Sequence, residues 1–254
     1  SFPTRRSSDL CLDMILLFRK THFIFLFIFF FSGTRLSGAA EITSSAQGGA
    51  WNDPATWIGG QVPTKEDNVT IASVVYPNGA LYGATRTYEV RNLTVTTSGR
   101  IMREPNTGGV ATLKVGGTLL NYGELADAGN WFAITVDGTL VNHGIIRVWN
   151  IRMTGKRQTL SGNGIIEREF RLNMTDDTLT AASDLVFRHC ILTSDVSTKE
   201  KKLDMGGYSL TLLADSVRYD SYYGEFNSSA ELKIPLIFRN DGILRAEYSL
   251  LGGS

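Results

Sequence analysis

Hydrophobic and polar residues alternate along most of the chain after residue 88, and Gly or Asn interrupts the alternation at short intervals. Alternating side chains lie on opposite faces of a β-strand, while Gly and Asn are common in turns. No stretch carries the sustained 3.6-residue apolar period and the end caps of an amphipathic helix. The pattern therefore predicts an all-β protein built from short strands.

One unit of this pattern occurs twice, 21 residues apart, between Leu113 and Ile146. Eight positions match, and six of them are identical. The first copy comprises Leu113, Val115, Gly117, Thr118, Leu119, Asn121, Gly123 and Leu125, and the second comprises Ile134, Val136, Gly138, Thr139, Leu140, Asn142, Gly144 and Ile146. A repeat of this length is typical of a solenoid, so we expect a right-handed parallel β-helix. The alternative is a β-sandwich, whose turns recur at similar local spacing.

The repeat also assigns structural roles to its polar and small residues. Asn121 and Asn142 lie one repeat apart, so their amides are predicted to stack and to form hydrogen bonds along the solenoid. Glycine tolerates tight or left-handed turns that a side chain obstructs. We expect that role at Gly117, Gly123, Gly138 and Gly144.

The N-terminal segment differs from the rest of the chain. Residues 1–10 resemble a translated sequencing adapter, so residues 1–13 are treated as an artefact or an untranslated leader. Residues 14–40 contain a basic flank, a nine-residue apolar run over 23–31 and a small-residue stretch before Glu41. This order is typical of a secretory signal peptide, and the apolar run is shorter than a membrane span requires. We therefore predict an extracellular or cell-surface protein with no stable membrane span after cleavage.

Residues 41–75 are predicted to form the N-terminal cap of the β-helix, and residues 76–254 the β-helix itself. Trp51 and Trp57 flank a turn at Asp53 and Pro54, and Pro63 precedes the next strand pattern. A stack of turns needs a covered end, because an open end exposes unpaired backbone and the apolar interior. The last residues carry no such cap pattern, so we expect a fragment whose parent chain continues with further domains.

The block from Trp51 to Ile71 resembles the opening of the eight-glycine extracellular domain family, which occurs in polyductin-like and hyaluronan-depolymerising animal proteins and in bacterial surface proteins. The resemblance rests on the paired Trp51 and Trp57, the Asp53-Pro54 turn, Pro63 and the lead into a strand at 67–69. It extends over residues 48–150 through the Leu-x-Val and Gly-Thr-Leu units. It implies an extracellular, all-β, right-handed helical domain, and it does not imply catalysis.

The net charge and the spacing of the histidines argue against a nucleic-acid partner and against a zinc site. The whole chain has 25 basic and 25 acidic residues, whereas residues 41–254 have 20 basic and 23 acidic residues and a formal charge of −3. This mildly acidic balance predicts no nucleic-acid partner. The histidines of this part, His143 and His189, lie in different units, so no zinc-ligand spacing is present and we expect neither a metal nor a cofactor.

One cluster resembles the equipment of a polysaccharide lyase or hydrolase. Asp176 and Asp177, with Arg168 and Arg171 nearby, supply carboxylates and cations of the types that such chemistry needs. Nothing in their spacing places them on one face, and we interpret the stretch as a solvated turn between strands.

Two functions remain open from the sequence. The first is a secreted structural or adhesion module that contacts extracellular polysaccharide or a surface protein. The second is a polysaccharide lyase or glycoside hydrolase with its site on one face of the β-helix, for which Asp176, Asp177, Arg168 and Arg171 are the candidates.

Overall fold

Parallel β-strands stack into a solenoid in the computed structural model of the chain. It describes residues 38–78, 85–103, 109–127, 129, 131–172, 178–194, 201–214, 231–232, 236–239 and 244–248. All strand pairs between the named strands of this part are parallel, and its one helical element is a 3₁₀ turn at Pro54–Thr56. The predicted parallel β-helix is confirmed as a β-solenoid, and the β-sandwich alternative is wrong.

The first face of the solenoid is a sheet of nine strands in sequence order. These strands are β1 (Glu41–Thr43), β3 (Asn68–Ile71), β6 (Asn92–Val95), β9 (Leu119–Asn121), β12 (Leu140–Asn142), β15 (Thr159–Ser161), β17 (Thr178–Ala181), β19 (Lys201–Asp204) and β22 (Leu236–Arg239).

A second sheet of 14 strands bends to form the other two faces. The second face contains β2 (Gly49–Ala50), β4 (Val74–Tyr76), β7 (Arg100–Met102), β10 (Glu124–Ala126), β13 (Ile145–Arg147), the first halves of β16 (Ile165–Leu172) and β18 (Leu185–Ser194), β20 (Leu210–Ala214) and β23 (Leu244–Tyr248). The third face contains β5 (Thr85–Val90), β8 (Val110–Val115), β11 (Phe132–Val136), β14 (Asn150–Met153), the second halves of β16 and β18, and β21 (Glu231–Leu232).

The sequence repeat coincides with one turn of this solenoid. Ile134 pairs with Leu113, Asn142 with Asn121 and Ile146 with Leu125, each across neighbouring strands of one face. The inward apolar residues of the three faces form one continuous buried cluster that runs along the axis. The alternation that predicted strands therefore also separates the core from the surface.

The repeated glycines are required by close approach of successive turns. A Cβ added to Gly144 would lie 2.1 Å from the carbonyl oxygen of Gly123, and one on Gly138 would lie 2.1 Å from that of Gly117. The glycines with positive φ do not include Gly117, Gly123, Gly138 or Gly144. Of the tight or left-handed corners expected at these four positions, the structure shows tight ones that a side chain would obstruct, without left-handed φ, and the lack of a side chain is what the fold uses.

The segment 41–75 contributes strands to the first two turns and also packs on the end of the first. Residues 56–58 run antiparallel to residues 43–45, with Ser45 N donating to Thr56 O at 2.7 Å and Ile58 N to Thr43 O at 2.9 Å. This pairing lies at the end of the first face, where β1 has β3 on its other side. An antiparallel segment there occupies backbone groups that would otherwise pair with a further parallel strand.

Two tryptophans of this segment pack together in the core at the end of the solenoid. Trp51 and Trp57 are 1% and 2% exposed, and their rings meet edge to face at 5.1 Å. The Trp57 indole Nε1 donates to Trp51 O at 2.7 Å, and the Trp51 ring lies 5.5 Å from that of Tyr88 on β5. Asp53 accepts from Ala55 N at 2.9 Å and so caps the 3₁₀ turn that begins at Pro54.

Asp67 connects the turn at residues 64–67 with Ala40, which directly precedes β1. It accepts hydrogen bonds from Thr64 N, Thr64 Oγ1 and Ala40 N at 2.8, 2.7 and 3.1 Å. Burial alone raises the pKa of the Asp67 carboxyl, but these three hydrogen bonds outweigh burial, and the net pKa is lowered from the ordinary 3.8. The buried Pro63 lies just before this carboxylate-bound turn.

The long strands β16 and β18 turn from the second face to the third without a loop. The first half of β16 pairs with β13 and its second half with β14. A register shift between Glu167 and Arg168 marks the bend, where Arg168 has a φ of 70°. A bulge with one left-handed residue sharpens the local bend of a strand.

Ala39–Ser254 form one compact unit, and no helix of the described part is long and apolar enough to cross a membrane.

Candidate functional site

The connections between the second and third faces differ in length from turn to turn. The connection from β4 to β5 spans residues 77–84, that from β7 to β8 spans 103–109, and that from β10 to β11 spans 127–131. From β13 to β14 only Val148 and Trp149 intervene, and β16 then bends with no loop. The connections at this corner therefore shorten along the axis until β16 bends without one.

A buried carboxylate shapes the 127–131 loop. Asp127 is 4% exposed, and its Oδ2 accepts from Trp131 N at 2.6 Å and from Phe132 N at 2.7 Å. Its Oδ1 accepts from Gly129 N at 2.9 Å. Three backbone donors on one carboxylate fix Gly129, Trp131 and Phe132 around Asp127, and they place Trp131 directly before β11.

Trp131 is a large aromatic side chain on the surface, with 48% of its area exposed. The Arg103 guanidinium carbon lies 5.8 Å from the centroid of its ring, and Arg103 Nη2 donates to Gly109 O at 3.1 Å. A Cβ on Gly129 would lie 3.0 Å from Trp131 Cδ1, so the backbone of the same loop packs against the indole. The ring is thus exposed and held in place.

The outward residues of the third face continue from Trp131 across β14 and β16. Ala133, Asn150 and Glu169 align in one column, and Thr135, Arg152 and Arg171 align in the next. We call Arg103, Trp131 and the outward side chains of Asn150, Arg152, Glu169 and Arg171 the Trp131 surface. Neighbouring strands lie about 4.8 Å apart and strand residues about 3.3 Å apart, so Asn150 is about 8 Å from Trp131 and Arg152 about 14 Å, measured between Cα positions.

Asn150 and Arg152 differ from the other polar residues of this surface. Asn150 is 0% exposed, and neither its Nδ2 nor its Oδ1 has a hydrogen-bond partner among the described residues. In the same part of the chain the buried Nε of Arg152 also lacks a partner. Glu169 and Arg171 form an ion pair instead, with Arg171 Nε 2.9 Å from Glu169 Oε1 and Arg171 Nη2 3.0 Å from Glu169 Oε2.

The sequence-predicted catalytic cluster is placed only in part. Arg168 lies at the register shift between β16 and β18, and Arg171 lies on the third-face half of β16, so the expected solvated turn is wrong for these two residues. Pairing with β14 and β18 makes this stretch a strand, although its polar composition predicted a turn. Asp176 and Asp177 lie outside the described residues.

Other carboxylates on the outward surface of β10 and β16 are paired with arginines. Glu124 lies between Arg100, at 3.5 Å, and Arg147, with which it forms a short ion pair. Glu167 lies 3.8 Å from Arg188. Within the described ranges no group of three His, Cys, Asp or Glu residues is placed to hold a metal ion. These pairs link neighbouring turns across the second face.

A second exposed aromatic group lies at the corner between the first and second faces. Tyr122 and His143 stack with centroids 5.1 Å apart and planes 9° apart, and His143 Nδ1 lies 2.9 Å from Asn163 Oδ1. These residues follow one another along the axis, so each ring covers a face of the other. Stacking covers one face of each ring at this corner, whereas Trp131 shares the third face with the unpaired polar atoms of Asn150 and Arg152.

Trp131, Asn150 and Arg152 were not predicted as site residues from the sequence. Trp131 breaks the pattern in one visible way, since it stands directly before an inward Phe132 and on the outward side of the alternation. The burial of Asn150 has no such signal, because Ala133 and Glu169, 17 and 19 residues away, create its surroundings.

Comparison of the chain with protein-family models, with curated proteins and with solved structures finds no match.

Proposed function

We propose that the chain is a secreted β-solenoid module of a surface protein, related to the eight-glycine family, and that it contacts carbohydrate through the Trp131 surface without catalysing a reaction. The observation that carries this proposal is the exposed but immobilised indole of Trp131. An indole presents an apolar face that stacks on the C–H side of a sugar ring, while nearby polar groups bind hydroxyl groups.

The rigidity of this surface supports a binding role. The indole is held by Asp127 through the loop backbone and by Arg103 through its guanidinium. Immobilising an aromatic side chain before binding reduces the conformational entropy lost on association. Strands β11, β14 and β16 supply the floor beside it, and strands position side chains more rigidly than loops do.

The paired carboxylates favour binding over catalysis. General acid or base groups in glycoside cleavage must exchange protons with the substrate. Glu124, Glu167 and Glu169 each lie within 4 Å of an arginine, which occupies the carboxylate oxygens. Glu124 and Glu167 are accordingly assigned to linking neighbouring turns, and Glu169 to an ion pair within β16.

Affinity electrophoresis of the full chain in gels containing soluble polysaccharides tests this function. We expect retardation by at least one polymer and its loss in Trp131→Ala. Tyr208→Ala is the matched control, since Tyr208 is 42% exposed on the turn between β19 and β20. Equal retardation of the two variants would contradict the proposed surface.

The same polymers incubated with the protein separate binding from catalysis. Release of reducing ends or of unsaturated products would replace the proposed module with the polysaccharide lyase or hydrolase alternative. For the export part of the proposal, we expect the N-terminal sequence of the secreted protein to begin at Glu41.

A further inference from the structure

Three polar atoms on the outward side of β14 lack the partners that buried groups normally have. They are Asn150 Nδ2, Asn150 Oδ1 and Arg152 Nε, and within the described part of the chain none accepts or donates a hydrogen bond. Buried polar groups are otherwise almost always paired with protein or with water, because desolvation without a partner is costly. Two such residues at alternate positions of one strand mark a local site.

The chemistry of these atoms specifies their complement. Asn150 Nδ2 and Arg152 Nε donate hydrogen bonds, while Asn150 Oδ1 accepts one. A partner must therefore offer acceptor oxygens toward both residues and a hydroxyl or amide hydrogen toward Asn150. Saccharides carry such a combination of groups on one ring.

The charge balance narrows the class of partner further. On the neighbouring strand β16, the charge of Arg171 is neutralised by Glu169. Arg152 on β14, by contrast, forms no ion pair among the described residues. A guanidinium next to an already neutralised one remains the local positive charge, and it prefers planar or tetrahedral oxyanions. The side chains of Arg171 and Glu169 are 26% and 20% exposed, and they border Arg152 and Asn150 in register on the neighbouring strand β16.

We propose that Asn150 and Arg152 form a subsite for a saccharide residue that bears a carboxylate or a sulfate group. Arg152 binds the oxyanion, Asn150 binds a neighbouring hydroxyl, and Trp131 stacks on an adjoining ring about 8 to 14 Å away. This subsite rests on the proposed carbohydrate function and adds its selectivity for anionic sugars.

Binding of four polymers to the full chain tests the subsite by isothermal titration calorimetry. Polygalacturonate carries carboxylates, dextran sulfate carries sulfates, and dextran and pullulan are neutral. We expect Arg152→Gln to lower affinity for at least one anionic polymer tenfold or more and to reduce the dependence of that binding on salt. Arg86→Gln, which removes an equal charge at an exposed position of β5 on the same face, is expected to change neither.

Two further variants keep the subsite testable if Arg152→Gln does not fold. Arg152→Lys keeps the charge but removes Nε, and we expect an intermediate loss. Asn150→Asp places a negative charge in the subsite. We expect it to abolish the preference for anionic polymers while binding to a neutral polymer persists. Preference for polygalacturonate identifies a carboxylate ligand, and preference for dextran sulfate identifies a sulfate ligand.

The outcomes separate the two proposals. If wild type binds no polymer in a Trp131-dependent way, the carbohydrate function fails and the subsite fails with it. If neutral and anionic polymers bind equally and Arg152→Gln behaves as Arg86→Gln does, the subsite is wrong and the carbohydrate function stands.

Discussion

Asn121 Nδ2 donates a hydrogen bond of 2.8 Å to Asn142 Oδ1, one turn further along the solenoid. Both side chains are buried, at 0% and 1% exposure. Asn142 Nδ2 in turn donates to Ile165 O at 3.2 Å, so the amides form a ladder that connects three successive turns. This ladder was predicted from the 21-residue offset of the two asparagines.

Removing one member of the ladder should destabilise the protein. In Asn142→Ala the buried Asn121 Nδ2 loses its short partner and Ile165 O loses a donor. Leaving buried polar groups unpaired costs about 1–3 kcal/mol, and we expect a decrease of that size in the free energy of unfolding measured in urea. Asn163→Ala serves as the control because its side chain is exposed, and a change equal to that of Asn142→Ala would contradict the ladder's contribution.

The repeated glycines yield a steric prediction. A Cβ on Gly144 would lie 2.1 Å from Gly123 O and 2.8 Å from Tyr122 C, so Gly144→Ala requires two turns to separate. We expect a loss of about 3 kcal/mol or more in unfolding free energy, or failure to fold, as for a severe overpacking change. Gly207→Ala should leave the unfolding midpoint unchanged, because an added Cβ there meets nothing within 4 Å. Equal unfolding midpoints for the two variants, measured by circular dichroism in urea, would refute the close approach.

The architecture was predictable because its information is periodic and local. Leu119 and Leu140 occupy equal positions in two repeats, and equal positions of one chain stack when each repeat forms one turn. The physical role of the glycines was only partly predictable. Their occurrence in turns indicated a need for small residues, but the approach of Gly144 to Gly123 is set by the spacing between turns.

The site was less predictable because it depends on relations between turns. The bend at Arg168 has a positive φ that arginine does not favour, and neighbours on β14 and β18 impose it. Trp131 alternates correctly with Ala133 and Thr135 as an outward residue. Its contacts with Arg103 and Gly129 come from two different connections, and the pattern of one strand does not encode them.

The two classes of tryptophan should separate in stability measurements. Trp57→Phe removes an indole nitrogen that donates to the buried Trp51 O at 2.7 Å, along with part of the edge-to-face contact. We expect a loss of about 1–3 kcal/mol in unfolding free energy. Trp131→Phe is the matched control, since that side chain is 48% exposed, and it should change unfolding by less than about 0.5 kcal/mol. A larger effect at Trp131 than at Trp57 would show that the roles are reversed.

Asp67 predicts how stability depends on acid. Its pKa in the folded chain is lowered from 3.8 because the hydrogen bonds from Thr64 and Ala40 outweigh the effect of burial, so the unfolded chain binds the proton more readily. The contribution of Asp67 to stability is therefore complete above the unfolded pKa and is lost as the pH falls below it through the folded pKa. We expect the unfolding free energy of wild type to exceed that of Asp67→Asn at pH 6 and the difference to shrink below pH 3.8. Asp53→Asn provides the comparison at an exposed carboxylate that caps a turn, and urea titrations at several pH values measure both differences. A wild-type advantage that stayed constant down to pH 2 would mean that the charged form of Asp67 is not what ties the first strand to this turn.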